Sequence, residues 1–522
     1  MATLQSAING AESSTAVIVP SKPTPLTVTY KDLLSECASF QRKLAALGIG
    51  HGAPVSIALI NSYEFIVSFL ATSWQRAVAA PLNPAYKQDE FEFYIEDVKS
   101  AVVLVPRGAW DARAPSVKAA QKFNAAVAEC YWDSAKGEVA LDVKFAGQLK
   151  GKGGQKILTP QPDDVALVLH TSGTTSRPKV VPLTHRNLTR TMKNIQETYQ
   201  LTPQDRTMLV MPLFHVHGLL CALLAPLHSG GSLVVPPKFS ATSFWEDFAA
   251  HGANWYTAVP TIHQILLRHT KPSPVPAIRF IRSCSSPLSP TVFHQLEEAF
   301  GAPVLEAYAM TEAAHQMTSN PLPAAGQRKP GTVGVGQGVE VRVLDDAGRE
   351  VARGGEGEVC IRGENVTAGY LNNAAANATA FATEPASGLR FFRTGDQGRL
   401  DADGYLTITG RIKELINKGG EKISPIELDN ALARHPAVAE AVSFAVPDDL
   451  YGQDVAVAVV LKPGAKLTAD ELRAWAGERL AKFKIPKKVY FTEVMPKTAT
   501  GKIQRRIVAE EMQKQEKPKA KL

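Results

Sequence analysis

The chain has 522 residues, of which 45% are apolar and 20% are charged. This length exceeds what one compact core accommodates, and the composition is that of a folded protein, so we expect at least two domains and exclude general disorder. The net charge is +7, and the lysine-rich tail after residue 513 carries much of the excess. A solvated charge run explains that tail better than a nucleic-acid surface, so we expect no nucleic-acid partner.

The cysteines and the apolar stretches exclude further classes. The five cysteines are widely spaced and lack any C-x-x-C pattern, which indicates neither a disulfide framework nor a structural zinc site. The N-terminus lacks the basic start and apolar core of a signal peptide. The longest apolar stretch, residues 219–227, is too short to cross a bilayer. We therefore expect a soluble protein of a reducing compartment with no membrane span.

The first third of the chain alternates helical and strand patterns. Residues 30–47 keep apolar side chains at helical spacing and stop at Gly48, residues 55–60 form a short apolar run, and residues 64–74 are helical again. Alternation of this kind predicts a parallel sheet flanked by helices.

A buried strand at residues 165–169 then runs into a polar loop. The hydroxyl-bearing residues and the glycine of this loop are Thr171, Ser172, Gly173, Thr174 and Thr175. Gly173 allows close approach of backbone amides, the hydroxyls can donate hydrogen bonds, and Lys179 adds a positive charge, so the pattern predicts a phosphate-binding loop. It is not a Walker A loop, because Pro178 precedes the lysine and Val180 follows it. The alternative is an ordinary Ser/Thr-rich surface turn.

The next strand, residues 207–211, ends in a segment with two histidines. His215 and His217 have no carboxylate or cysteine neighbour in sequence, which argues against a metal site. We interpret His215 as lining a pocket and His217 as structural.

Further strands are predicted at residues 255–259, 277–283 and 303–307. The last two open into polar loops at residues 283–288 and 308–312. Ligands of open parallel sheets bind beyond the carboxyl ends of the strands, so we expect both loops to face the loop at Thr171.

The pattern changes after residue 338. Short alternating strands at residues 339–344, 358–362 and 404–409 predict a small antiparallel subdomain. The last hundred residues indicate a compact α+β module. Its predicted helices and strands are residues 425–435, 469–482, 438–446 and 454–461, with a glycine-rich loop at 418–422. We divide the chain into residues 1–410, a boundary segment 411–413, and residues 414–522.

Five motifs occur in one order along the chain. They are residues 171–179, 308–312, 393–396, 410–416 and 496–502. In these motifs the chain resembles the adenylate-forming superfamily of acyl-CoA synthetases, aryl-CoA ligases and firefly luciferase, over essentially its whole length. The resemblance implies an α/β fold with a large N-terminal domain of parallel sheets flanked by helices, a small antiparallel β subdomain, and a small mobile α+β C-terminal domain. It also implies an AMP-forming acid–thiol ligase that uses ATP, Mg²⁺ and coenzyme A.

The resemblance assigns roles residue by residue. Lys502, Lys179 and His215 would be catalytic, with the two lysines offsetting charge that builds on phosphate oxygens. Glu312 would hold Mg²⁺, for which a carboxylate oxygen is a suitable ligand. The nucleotide would be bound by the loop from Thr171 to Thr175 and by a second set, which comprises Glu306, Ala307, Tyr308, Thr311, Asp396 and Arg411.

The resemblance also implies movement between the two domains. Lys413 falls where the family places its hinge. Rotation there would exchange Lys502, needed for adenylation, for the loop of Lys418, Gly419 and Gly420, which would help admit coenzyme A.

The acid pocket is predicted to be polar. His215, Ser283, Ser285 and His315 would line it, and buried donors reject an apolar acyl chain because they would lose water without gaining partners. A very short second carboxylate would satisfy them. The segments at residues 214–219, 282–285, 306–313 and 413–427 resemble the oxalate-CoA ligase branch of plants and fungi, which implies oxalate as the acid. The alternative for His315 is a packing histidine at the start of a helix.

Two other functions stay open at this point. One is a 4-coumarate or medium-chain acyl-CoA ligase, and the other is a non-catalytic protein that binds nucleotides or RNA in the same cleft. The terminal residues Ala520, Lys521 and Leu522 form a conservative variant of the peroxisomal import address. They predict an import receptor as partner and a peroxisomal location, with the cytosol as the alternative.

Overall fold

The structure, a computed structural model, describes residues 2–21, 24–171, 178–497 and 503–516. Within these ranges the strands β1 to β26 are, in chain order, Thr15–Val19, Leu26–Thr29, Pro54–Ile57, Val78–Pro81, Val102–Val105, Ala126–Asp133, Glu138–Phe145, Val165–Thr171, Lys179–Thr184, Arg206–Met208, Ser232–Val234, Trp255–Ala258, Phe280–Ser283, Val304–Met310, His315–Ser319, Val335–Gly336, Glu340–Leu344, Gly357–Arg362, Phe381–Thr383, Arg390–Leu400, Leu406–Arg411, Ile416–Lys418, Glu421–Ile423, Val438–Asp448, Gly452–Leu461 and Lys488–Phe491.

The α-helices of the same ranges are labelled α1 to α14. In chain order they are Leu4–Ala7, Tyr30–Ala46, Tyr63–Trp74, Gln88–Val98, Pro115–Lys122, His185–Tyr199, Ala225–His228, Phe244–Ala250, Pro260–Arg268, Pro290–Phe300, Ala374–Thr379, Pro425–Leu432, Ala469–Gly477 and Arg505–Glu516.

Two large sheets form the N-terminal part of the molecule. The nine-stranded sheet has the order β16-β15-β14-β13-β12-β10-β11-β1-β2, and the seven-stranded sheet has the order β7-β6-β5-β3-β4-β8-β9. The central strands of both sheets pair in parallel, whereas β2, β7, β9, β15 and β16 pair antiparallel at the edges. The predicted parallel sheets flanked by helices are confirmed.

Local features of the sequence, namely capping residues and the spacing of apolar residues, explain where the helices form. The side chain of Thr29 caps α2 by accepting a hydrogen bond from the backbone N–H of Asp32, and the helix stops just before Gly48, whose φ of 93° favours glycine. One face of α2 is buried, at the spacing that the sequence predicted. Its apolar members include Leu33, Cys37, Phe40 and Leu44.

The main core lies around α3 and the segment after β10. Every residue of α3 except Glu64 is buried, so this helix is apolar all round because both of its faces are covered. The apolar stretch at residues 219–227 belongs to the same core as part of a π-helix, His217–Leu224, followed by α7. No helix in the described ranges is long and apolar enough to cross a membrane.

The remaining strands form two smaller sheets. One is antiparallel, in the order β17-β18-β20-β19 with β21 on β20, as the sequence predicted. The other has the order β23-β22-β25-β24 with β26 on β25 and packs with α12, α13 and α14. The 3₁₀ turn Ile412–Glu414 connects them, so Lys413 lies between the two sheets, and its role as a hinge stays a prediction.

Several predicted boundaries differ from the observed ones. Residues 418–422 are not a free loop but a hairpin between β22 and β23, turned at Gly419 and Gly420 with φ values of 60° and 97°. The helix predicted at residues 469–482 stops at Gly477, where glycine weakens helical structure. The strand predicted from residue 404 begins at Leu406, because Gly404 adopts a φ of 82° in the preceding turn.

Candidate active site

One large crevice collects the loops that follow the central strands. Its lining includes Thr171 at the end of β8, Ser283 at the end of β13, the segment from Glu306 to Glu312, and Asp396 in β20. Its volume is about 2340 Å³. Single small-molecule pockets measure roughly 300–1,000 Å³. The crevice therefore has room for a nucleotide together with a second substrate.

Several predicted site residues lie outside the described ranges. They are Ser172, Gly173, Thr174, Thr175, Lys502, Ala520, Lys521 and Leu522. The strands that flank the phosphate loop are described, and they pair antiparallel with Thr171 opposite Lys179. Both ends of the predicted loop therefore reach the crevice, and Lys179 lines it.

Asp396 is held between two donors. The Nε atom of Arg411 lies 3.1 Å from Oδ1 of Asp396, and the hydroxyl of Tyr308 donates to Oδ2. Burial raises the pKa of Asp396 above its ordinary value, although Arg411 and Tyr308 oppose the shift. The strands β20 and β21 place Asp396 directly opposite Arg411. This arrangement presents a carboxylate beside an aromatic ring in the crevice, where both were predicted.

Glu312 and Lys179 are connected through Tyr370. The Tyr370 hydroxyl donates to Oε1 of Glu312 at 2.8 Å, and the Nζ atom of Lys179 lies 4.4 Å from the centre of the Tyr370 ring. Burial raises the pKa of Glu312, while the Tyr370 hydrogen bond and the charges of Arg411 and Lys179 lower it. The sequence predicted no role for Tyr370, since its position after Gly369 matches no motif that would indicate one.

Residues 367–371 form hydrogen bonds both to β9 and to the turn that carries Glu312. The backbone N–H of Thr367 donates to the carbonyl of Glu312 at 2.7 Å, and its hydroxyl donates to the carbonyl of Pro182 at 2.9 Å. The N–H of Leu371 donates to the carbonyl of Val180, also at 2.9 Å. These bonds fix the distance between β9, which begins at Lys179, and the turn that carries Glu312.

The predicted adenine region is formed by β14 and the turn after it. Ala307, Tyr308 and Thr311 all line the crevice. Glu306 is also there, with its Oε2 accepting from the backbone N–H of Gly331 at 2.9 Å. Burial raises the pKa of Glu306 to about 8, and the Gly331 bond only partly opposes this.

Polar side chains line the crevice on the side of β13. His215, Ser283 and Ser285 all reach it. The Nδ1 atom of His215 accepts from the backbone N–H of His217 at 3.2 Å, which leaves the proton of a neutral imidazole on Nε2. The Oγ atom of Ser283 is buried and has no hydrogen-bond partner among the described residues. A ligand carboxylate would supply the acceptor that this hydroxyl lacks.

His315 lies one layer deeper than these residues. It is fully buried, and its ring stacks on that of His217 with centroids 5.2 Å apart. It begins strand β15 with a φ of 101°, so it does not stand at the start of a helix, whereas its full burial agrees with a packing role. Among the described residues that line the crevice His315 is absent, so the prediction that it lines the acid pocket is not confirmed. The 3₁₀ turn Thr311–Ala313 precedes it and accounts for the helix-like pattern.

A buried arginine stands behind the polar lining. Arg282, in β13, is fully buried, and no carboxylate pairs with it within the ranges that the structure describes. Its guanidinium instead donates to neutral oxygens of Tyr199, Thr257 and Gln316 at 2.6, 3.2 and 3.3 Å. Buried charges are ordinarily paired, so this site lacks a negative charge. Arg282 belongs to the segment 282–285 that resembles the oxalate-CoA ligase branch, but the sequence alone predicted no role for its charge.

The loop that was predicted to help admit coenzyme A, residues 418–420, is not part of the crevice lining. Lys418 forms an ion pair with Asp454, with Nζ 2.5 Å from Oδ1, and both side chains are largely buried. Lys413 does line the crevice, next to Arg411. The hairpin of Lys418, Gly419 and Gly420 would therefore have to move relative to the crevice before it could act there.

The fold and these motifs agree with known families. A family described as AMP-binding enzyme matches residues 4–371, and one described as AMP-binding enzyme C-terminal domain matches residues 427–502. The chain belongs to the AMP-binding enzyme family, and its resemblance to adenylate-forming enzymes is confirmed.

Individual relatives are similar over nearly the whole chain. The sequence is 49% identical to an oxalate–CoA ligase of Saccharomyces cerevisiae, over 97% of this chain and 96% of that protein. It is also 49% identical to an oxalate–CoA ligase of Arabidopsis thaliana, over 92% of each. Among solved structures, ATP-bound MatB from Rhodopseudomonas palustris superposes with a TM-score of 0.87 at 30% identity, over 98% of each chain.

Proposed function

We propose that this enzyme joins oxalate to coenzyme A through an acyl-adenylate, with ATP as the energy source and AMP and pyrophosphate as products. The observation that carries the proposal is the fully buried Arg282 behind a lining of polar side chains. A monocarboxylic acid loses its only negative charge when its carboxylate reacts with ATP. A second carboxylate would stay negative and would be attracted by this buried cation across the polar lining, and the two oxalate–CoA ligases named above add support.

In the first half-reaction, a carboxylate oxygen of the acid attacks the α-phosphorus of ATP, and the bond to the leaving pyrophosphate breaks. Negative charge builds on the phosphate oxygens, where Lys179 and Lys502 would offset it. Asp396 would accept hydrogen bonds from the ribose hydroxyls while Tyr308 covers the base. His215, with its proton on Nε2, would donate to the attacking acid and hold it in line.

Magnesium fits the donor set around Glu312. Mg²⁺ is usually bound by one or two carboxylates together with substrate phosphates, and Glu312 is a buried carboxylate beside Lys179. The ion would neutralise charge on the phosphates as pyrophosphate leaves. Tyr370 and the backbone at Thr367 would hold Glu312 in place for it.

In the second half-reaction, the thiol of coenzyme A attacks the acyl carbon, loses its proton, and displaces AMP. We propose that residues 1–410 and 414–522 rotate relative to each other about Lys413 between the two steps. The hairpin at Lys418 would then approach the crevice as Lys502 leaves it.

A panel of acids tests the substrate assignment. Pyrophosphate release and AMP formation would be followed with oxalate, malonate, 4-coumarate and octanoate under one set of conditions. We expect kcat/KM to be highest for oxalate. A preference for 4-coumarate or octanoate would identify a different acyl-CoA ligase, and no pyrophosphate with any acid would favour a non-catalytic nucleotide-binding protein.

We also propose that the enzyme is imported into peroxisomes through Ala520, Lys521 and Leu522. The support is the sequence of these residues alone. A fluorescent protein fused ahead of the chain should colocalise with peroxisomes, and deletion of Leu522 should make it diffuse. Unchanged location after that deletion would contradict the proposal and leave the cytosol as the alternative.

A further inference from the structure

A chain of hydrogen bonds leads from Arg282 to the crevice. NH1 of Arg282 donates to Oγ1 of Thr257 at 3.2 Å, and this oxygen lies 2.6 Å from Nε2 of His217. The other ring nitrogen of His217, Nδ1, lies 3.1 Å from Oγ of Ser285, which lines the crevice. Arg282, Thr257 and His217 are all fully buried.

The charge of Arg282 sets the direction of these bonds. A guanidinium can only donate, and NH1 also faces Nε2 of His217 directly, at 3.4 Å. A proton on Nε2 would therefore point at a permanent positive charge. Since Thr257 already accepts from Arg282, its own hydroxyl hydrogen is available for Nε2. Both neighbours make Nε2 the acceptor, so a neutral His217 carries its proton on Nδ1.

The proton on Nδ1 determines what Ser285 can do. With Nδ1–H donating to its oxygen, Ser285 has its own hydroxyl hydrogen left for a ligand in the crevice. We infer that Arg282, acting through Thr257 and His217, is a positioning residue that orients the Ser285 hydroxyl as a donor toward the second carboxylate of the acid. This inference rests on the proposed function for the identity of the ligand, and His217, which the sequence suggested to be structural, becomes part of the substrate site.

The backbone supports the same assignment. Ser285 has a φ of 74°, a left-handed conformation that is strained for a residue other than glycine. A serine stands there although glycine would relieve the strain, which agrees with a role for its hydroxyl.

We call the hydrogen-bonded chain from Arg282 through Thr257 and His217 to Ser285 the relay. It is tested by removing the hydroxyl of Thr257. Thr257→Val replaces a buried hydroxyl with a methyl group of similar size, and Thr257→Ser keeps the hydroxyl as the matched control. We expect Thr257→Val to raise the KM for oxalate about ten- to hundredfold, the scale of a buried hydrogen bond to a charged group. The KM for ATP should stay within about twofold, and Thr257→Ser should resemble the wild type. Equal increases in both KM values would indicate general damage and overturn the inference.

A double-mutant cycle with Ser285→Gly separates a relay from independent effects. Glycine accepts the φ of Ser285 and removes its CH₂OH side chain, and with it the hydroxyl. If Thr257 acts through Ser285, adding Thr257→Val to Ser285→Gly should change the oxalate KM by less than about threefold, whereas multiplied losses would refute the relay. Should the wild type prefer another acid, the proposed function fails, and the same cycle with that acid still tests the relay.

A direct measurement covers the case in which Thr257→Val does not fold. The ¹⁵N shifts of labelled histidines in the wild-type enzyme distinguish the two neutral tautomers, and the His217 signals can be assigned by their loss in His217→Gln. We expect the Nδ1–H form near neutral pH. Observation of the Nε2–H form would contradict the inference.

Discussion

The hydroxyl of Tyr370 donates to Oε1 of Glu312, while the ring of the same tyrosine lies beneath the ammonium group of Lys179. One side chain thus contacts both a carboxylate and a cation of the predicted nucleotide site. Burial raises the pKa of Glu312, and the Tyr370 hydrogen bond counteracts this by stabilising the ionised form. The tyrosine therefore favours the ionised form of Glu312, which is the form that the proposed Mg²⁺ site requires.

Tyr370→Phe should impair adenylation without removing the ring under Lys179. Loss of the hydroxyl raises the pKa of Glu312 further, so a smaller fraction is ionised and Mg²⁺ binds less well. Loss of such outer partners typically costs about 10- to 100-fold in metal affinity or activity. The adenylation rate should be measured against Mg²⁺ concentration at pH 6 and pH 8, and the defect should be larger at pH 6.

Tyr405→Phe is the matched control for that experiment. The Tyr405 hydroxyl donates to the carbonyl of Gln327, so this variant also loses a partly buried tyrosine hydrogen bond. It should keep the Mg²⁺ dependence of the wild type. A Tyr370→Phe enzyme with an unchanged Mg²⁺ requirement at both pH values would show that Tyr370 does not act through Glu312.

The difference between Glu312 and Tyr370 illustrates what the sequence could predict. Glu312, Asp396 and Lys179 belong to short motifs whose chemistry is local, and alternating strands and helices predicted the parallel sheets that carry them. Tyr370 reaches Glu312 only because residues 363–371 cross from the antiparallel subdomain to β9, a contact between segments more than 50 residues apart. The local sequence pattern contains no information about contacts between segments so far apart in the chain.

The acid pocket shows a second limit of the same kind. His215, Ser283 and Ser285 were expected on one surface because they follow parallel strands, and the fold places them there. The role of His217 depends on which atoms its ring nitrogens face, namely Thr257 and Ser285. These residues lie on different strands and loops, so their contacts follow from the register of the nine-stranded sheet.

Substitution of His315 tests the polar character of the pocket. His315→Leu should lower kcat/KM for oxalate by roughly 1 to 3 kcal/mol in transition-state free energy, because the polar ring that stacks on His217 behind the acid pocket is lost. Butyrate should lose less, or gain. His315→Asn is the control, since asparagine tolerates positive φ and retains donors. Equal losses for oxalate and butyrate in His315→Leu would assign His315 to packing alone.

Glu306 should make the folded protein less stable as the pH rises. Its ordinary pKa is 4.5, and burial raises the folded value to about 8. Between these values the unfolded chain has lost the proton that the folded protein retains, so the free energy of unfolding falls with increasing pH, by up to about 1.4 kcal/mol per unit. Glu306→Gln removes this contribution. The Tm of Glu306→Gln relative to the wild type should therefore increase from pH 6 to pH 8, and a constant difference would contradict the shift.

Gly420→Phe should spare adenylation and impair thioester formation. A side chain at Gly420 meets open space in the described arrangement, so any obstruction would arise only after the hairpin approaches the crevice. Gly464→Phe is the control, because that glycine also has a positive φ and open surroundings. Each half-reaction should be measured separately. A Gly420→Phe enzyme that forms the thioester as fast as Gly464→Phe would exclude this loop from the coenzyme A step.

Lys502→Ala should have the opposite effect, although Lys502 lies outside the described residues. If this lysine reaches the crevice only for adenylation, it offsets charge as pyrophosphate leaves and has no part once the acyl-adenylate exists. Its loss should slow the first half-reaction by on the order of 100- to 1,000-fold, as for one preorganised electrostatic contact. Thioester formation from preformed acyl-adenylate and coenzyme A should continue. Lys487→Ala is the control, because Lys487 lies in the same part of the chain, is largely exposed and pairs with Asp448 outside the crevice lining. Equal loss of both half-reactions in a folded Lys502→Ala enzyme would mean that the two steps do not exchange this lysine for the hairpin at Lys418.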